Sequence, residues 1–115
     1  MATAPLAIGH NAAPDTTAPL KVMLHAPCAE SLTRARRNLV NLKVARPDAS
    51  VIIVANGAAV AAALKTPDAT DDALRLCRNS LKAQGLVNAR GLTEVDAAVV
   101  TLAENQAAGW AYIRA

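Results

Sequence analysis

The run Ser50-Val51-Ile52-Ile53-Val54-Ala55 restricts the fold of this chain more than any other stretch. It is almost continuously β-branched and shows no apolar–polar alternation, the pattern of a strand covered on both faces, as parallel strands are. Parallel strands cannot be joined by a tight turn; each needs a crossover, usually a helix. The flanking sequence supplies crossovers. Asn56-Gly57 is a turn that leads into the Ala-rich helix Ala58 to Lys65, and an apolar face (Leu32, Ala35, Leu39, Leu42) marks a helix from Glu30 to about Arg46, ended by Pro47-Asp48.

The alternation continues on both sides. Leu20 to His25 reads as a first strand, broken by Ala26-Pro27-Cys28. Thr66 to Asp72 is a polar loop. Ala73 to Cys77 fits a third strand or part of a helix face through Leu74, Cys77 and Leu81; the order of the other elements favours the strand. A short helix from Asn79 to Gln84 stopped by Gly85, a strand near Glu94-Val95, a helix from about Ala97 to Ala107 and a last strand Trp110 to Ile113 complete an α/β domain with a mostly parallel sheet and helices on both faces. The 115 residues suffice for one domain, placed at 20–115. Residues 1–19, rich in Ala, Pro and Thr, read as a flexible tail, in which His10 has no partner to make it a ligand.

Composition narrows the function. The chain has no Phe, one Trp and one Tyr, so its core is built from small aliphatic residues, and at this size subunit association is an expected source of stability. A net charge of +3 is too small to argue for nucleic acid. Arg34, Arg36, Arg37, Lys43 and Arg46 make the first helix basic, a feature expected to be solvated surface and lacking the interleaved aromatics of an RNA-binding face. Two cysteines without a disulfide framework, no apolar run near the roughly 20 residues of a membrane span and no signal-peptide pattern lead to a cytoplasmic expectation, with no membrane partner.

Cys77 carries the chemistry. A thiol at the end of an apolar run, beside Arg78 and just before Asn79 and Ser80, would lie at a helix start, where a positive field favours the thiolate. The competing reading is a small buried hydrophobe. Around this residue, Cys77-Arg78-Asn79-Ser80-Leu81 and Gly85-Leu86, together with Val54-Ala55-Asn56-Gly57-Ala58-Ala59-Val60 and the ending Gln106-Ala107-Ala108-Gly109-Trp110-Ala111-Tyr112-Ile113-Arg114, resemble the DsrE/DsrF-like family, which includes TusD-type sulfur-relay subunits. The likeness covers about residues 20–115. It implies a five-stranded, three-layer flavodoxin-like domain assembled as a homotrimer or homohexamer; no cofactor is expected, and a single Cys-His pair is too sparse for a metal site. It further implies that Cys77 matches the cysteine that holds a persulfide, with sulfur donor and acceptor proteins as partners. The segment between Lys65 and Ala73 is shorter than is usual in that family, so the helix expected before the third strand is missing or reduced.

In an open parallel sheet, reactive groups gather beyond the carboxyl ends of the strands. His25 and Cys28 follow the first strand, Asn56 and Gly57 the second, and Cys77, Arg78 and Asn79 the third. With a 2-1-3-4-5 strand order, Cys28 and Cys77 would share one rim on neighbouring strands and could form a redox pair. Asn56-Gly57 could be only a turn, His25 a base without an identified orienting partner, and Cys28 a resolving or an incidental thiol. The function expected is that of a sulfur carrier rather than a turnover enzyme, with a non-catalytic interaction module of the same fold as the alternative.

Overall fold

The computed structural model describes residues 18–115; most of the expected tail, with His10, lies outside the described residues. The elements are β1 (Lys21–Ala26), α1 (Ala29–Ala45), β2 (Ser50–Ala55), α2 (Ala58–Lys65), a 3-10 turn (Asp71–Ala73), β3 (Leu74–Cys77), α3 (Arg78–Ala83), β4 (Glu94–Val95), α4 (Ala98–Ala107) and β5 (Ala111–Arg114). Every strand–strand pairing is parallel. The α/β reading therefore holds, with a five-stranded sheet of the flavodoxin-like, layered kind. Only the 3-10 turn occupies the short segment before β3.

The strand order is β4-β3-β2-β1-β5, not 2-1-3-4-5. From β1 the chain adds each strand to the same side, then crosses back to lay β5 on the far side of β1. β2 rather than β1 is the middle strand, which accounts for its unbroken apolar run: it has neighbours on both edges and layers on both faces. In consequence β1 and β3 are not neighbours.

The two faces are covered unequally. On one, Val22 and Leu24 of β1, Ile53 and Ala55 of β2, and Leu74 and Leu76 of β3 pack under α1, α2 and α3 through Leu32, Ala35, Ala59, Val60, Ala63 and Leu81. The alanines let the helices approach the sheet closely, so fully buried contacts are made without large aromatics. On the other face, Met23, Ile52, Val54 and Cys77 are covered by Ala98 and Leu102 of α4 and by Trp110. The helix thus starts beside Cys77 and runs back toward the amino ends of the strands, where β5 begins.

The basic residues of α1 are mostly engaged. Arg36 bonds the side chain and main chain of Thr66 and pairs with Asp68 and Asp71; Lys43 caps the carbonyls of Pro47 and Ala49; Arg46 pairs with Asp48 and reaches the Ala18 carbonyl. Asp71 also pairs with Arg90, so one carboxylate ties α1 to the loop before β4. These charges fasten the loops around α1.

A thiol site on the carboxyl rim of the sheet

Parallel strands joined by helices put every helix start on the same rim of the sheet. Here α1, α2, α3 and α4 begin after Cys28, Gly57, Cys77 and Ala97, and none of these four residues makes a cap hydrogen bond with its own side chain. Two of the four capping positions are thiols.

Cys77 is itself the N-cap of α3, two or three residues earlier than the Asn79 or Ser80 start read from sequence. It is 5% exposed, on the face covered by α4. Its Sγ accepts the N–H of Ala98, the first residue of α4, at 3.4 Å. Burial pushes the thiol pKa up, but the Ala98 N–H, the Ser80 hydroxyl and the backbone N–H groups of Ser80 and Asn79 outweigh it, so the pKa lies below its ordinary value. The reason is geometric: donors from the starts of two helices converge on one sulfur, with no carboxylate among them.

Ser80 is oriented for this role. Its Oγ accepts the Gly57 N–H at 2.9 Å, which leaves its own proton for the sulfur. Gln84 donates to the Gly57 carbonyl at 2.9 Å, so α3 grips both main-chain groups of Gly57. Gly57 has φ 55° and ψ −137°, and a Cβ there would stand 2.9 Å from the Pro27 carbonyl oxygen. Both the backbone conformation and the close approach demand glycine. The turn reading of Asn56-Gly57 is thus correct as far as it goes, and the same turn also orients Ser80.

Arg78 is placed differently from expectation. Its guanidinium donates to Glu94 at 3.0 Å and forms a second, very close pair with Asp96. These carboxylates hold its charge at the β4 side of the rim, so the thiolate is favoured by N–H and hydroxyl donors instead of by Arg78.

Sequence reasoning found no partner for His25; the structure supplies two. Nδ1 lies 2.7 Å from the Tyr112 hydroxyl and Nε2 lies 2.9 Å from Asn56 Oδ1. With a carbonyl oxygen at Nε2, that nitrogen carries the proton and Nδ1 accepts from Tyr112. The signal for Tyr112 was its alternation with Trp110 in the last strand, which places it beside β1 only once β5 is known to pair with β1. Tyr112 thus reaches across the β1/β5 boundary where the chain order reverses, the place where ligands collect in open α/β sheets.

Cys28 is the N-cap of α1 and is half-buried. Its Sγ is 3.2 Å from Ser31 Oγ. The Ser31 hydroxyl, followed by the N–H groups of Ser31 and Glu30, holds its pKa below the ordinary value, against burial and the Glu30 charge. Arg34 donates to Ser31 Oγ at 3.3 Å and to the Ala115 carbonyl at 3.0 Å. Both cysteines are free thiols. The strands that deliver them are separated by β2, about 9.6 Å at two strand spacings, whereas a disulfide holds its Cα atoms within about 7 Å. Cys28 also opens the helix on the opposite face from the one that covers Cys77.

Among the described residues no cluster of His, Cys, Asp and Glu could hold a metal ion, and no helix is long and apolar enough to cross a membrane. No protein-family model matches the chain, and no curated protein does.

Proposed function

We propose that the protein is a sulfur carrier: Cys77 takes a sulfane sulfur as a persulfide and passes it to the thiol of a partner protein. The supporting observation is the set of donors around Cys77 Sγ, which favours the thiolate while only 5% of the residue is exposed. The thiolate attacks the donor's sulfane sulfur and forms the Sγ–S bond as the donor thiolate leaves. In the second step the acceptor thiolate attacks the outer sulfur and Cys77 leaves as thiolate, so each transfer exchanges one S–S bond for another without net oxidation. Thiolate-stabilising donors serve both steps, because the same sulfur is nucleophile in the first and leaving group in the second.

Incubation with thiosulfate or with a loaded cysteine desulfurase, followed by intact mass measurement, tests the reading. The carrier gains the mass of one sulfur atom, and Cys77→Ala gains none at that position. An unchanged mass would leave the interaction module as the better account.

The working form in this proposal is a homotrimer or homohexamer in the cytoplasm. Support comes from the edge strand β5, whose Tyr112 and Ile113 are 39% and 44% exposed, and from Val99 and Val100 on the outer side of α4. Light scattering at micromolar concentration should give a multiple of the chain mass; a monodisperse single-chain species contradicts the assembly.

A further inference from the structure

A persulfide places its outer sulfur about 2 Å beyond Sγ, and no hydrogen bond described above reaches that atom. The groups next in line lie on β2. Ala55 pairs with Leu76, so Asn56 and Cys77 occupy the next positions of adjacent strands. The Asn56 main chain stays in the ladder, its N–H donating to Ala26 O at 3.2 Å, and Gly57 is tied to Ser80 of the helix that Cys77 caps. Asn56 is half-buried and therefore neither free in solvent nor sealed in the core.

Its side chain is oriented from the far side. Tyr112 donates to His25 Nδ1, which fixes the ring with its proton on Nε2; Nε2–H then donates to Asn56 Oδ1. The carboxamide thus spends its oxygen on β1, and Nδ2, its donor end, gives its hydrogens to no described residue. Three side chains from β5, β1 and the end of β2 form one row whose unspent donor is on the strand next to the thiol. From this juxtaposition we infer that Asn56 is the hydrogen-bond donor that holds the outer, charged sulfur of a Cys77 persulfide, with His25 and Tyr112 as residues that position it.

The inference rests on the carrier reading and extends it to the cargo: the site recognises a perthiolate rather than only a thiolate. Asn56 steadies the sulfur that a bound acceptor must attack, while Ser80 and the Ala98 N–H hold the sulfur that leaves. The ionisable groups around the row are His25 and Tyr112 themselves, Arg114 at the register position of His25, and Cys28 beyond β1; on the other side stands Arg78, paired with Glu94 and Asp96.

The test uses the full chain carrying Cys28→Ala, so that Cys77 is the only thiol, and inorganic polysulfide as the sulfur source. Alkylation of Cys77 by iodoacetamide is followed against pH before and after loading, in the parent, in Asn56→Leu and in Tyr112→Phe. Asn56→Leu should raise the pH midpoint of the persulfide by about half a unit to one unit, the worth of one partly hydrated hydrogen bond to a charged group. Tyr112→Phe, which removes only a hydroxyl, should shift it in the same direction by less. The bare thiol should titrate alike in all three, a result that a merely structural role for Asn56 would not give. Persulfide midpoints that coincide across the series, with loading normal, overturn this inference alone. A Cys77 that takes no sulfur even from polysulfide overturns the carrier reading and this inference with it.

Discussion

Cys28 and Cys77 are the same local device set in different surroundings. Cys77 is the last residue of its strand and Cys28 lies two residues past the end of its own; each caps a helix with extended backbone and without a side-chain cap hydrogen bond. Each has its thiol pKa held below the ordinary value by a serine three residues on. The difference lies in what else reaches the sulfur. Cys28 draws every lowering donor from its own helix start, while Cys77 is buried and also receives the N–H of a second helix. Access and stabilisation are therefore separated: Cys28 is the easier thiol to reach, and Cys77 is the more enclosed, with donors from two helices. Low pKa does not distinguish the two; burial and the Ala98 N–H distinguish Cys77.

Gly57 joins the two regions, and its replacement should have the largest effect. Gly57→Ala forces a side chain into a left-handed conformation 2.9 Å from the Pro27 carbonyl oxygen, in the loop that leads to Cys28, and disturbs the N–H that orients Ser80. A loss of at least about 2 kcal/mol is expected from denaturant unfolding, with the reactivity of both thiols altered. An alanine variant as stable as the parent would refute the coupling of the two loops.

Serine deletions should separate the cysteines. Ser80→Ala should slow alkylation of Cys77 at neutral pH about fivefold to tenfold, the worth of one hydrogen bond to a charged sulfur, and leave Cys28 unchanged. Ser31→Ala should do the converse, with a smaller effect because water replaces part of the lost bond at the more open site. Equal responses of both thiols to either change would show that the two environments are not independent. Arg78→Ala should change Cys77 least, by less than about twofold, since Glu94 and Asp96 already hold the guanidinium.

Acid provides a control that touches neither thiol. Burial works against ionisation of Asp71, yet the Arg90 and Arg36 contacts and the Asp68 N–H hold its pKa below the usual carboxylate range. Asp68 is lowered chiefly by the Thr70 hydroxyl and N–H, and Glu94 by Asn88 and then Arg78. A carboxylate depressed in the folded state binds its proton more readily when unfolded, so its contribution is present above the unfolded pKa of about 4 and is lost as the pH falls through the folded value. The thermal midpoint should therefore drop below about pH 4. The deficit of Asp71→Asn, expected to be about 1–3 kcal/mol at neutral pH for a mostly buried ion pair, should shrink toward zero in acid. A deficit that stays constant with pH would contradict this assignment.

The sequence showed elements well and neighbours poorly. β2 was legible because the unbroken five-residue apolar run Val51–Ala55 has one economical explanation, and Gly57 because turns of this kind need glycine. Cys77 at a helix start was legible to within the capping residue. Strand order was not, because local periodicity carries no information on which strand lies beside which. The error had direct consequences: it made β1 and β3 neighbours, suggested a cysteine pair, and hid the β1/β5 contact that gives His25 its partner. Arg78 failed for a similar reason, since its carboxylates lie 16 and 18 residues on, outside any local window.

The central claim is that the enclosure of Cys77 with donors from two helices, and not thiolate character as such, makes a sulfur carrier. Limited sulfur from inorganic polysulfide, offered at neutral pH to Cys28→Ala and to Cys77→Ala, tests it by intact mass, followed by a chase with a small thiol. The account predicts that the chain retaining Cys77 holds one added sulfur atom through the early chase and then releases it to the acceptor, while the chain retaining Cys28 loses any added sulfur at once. Equal retention by the two, or retention on Cys28 alone, would contradict it.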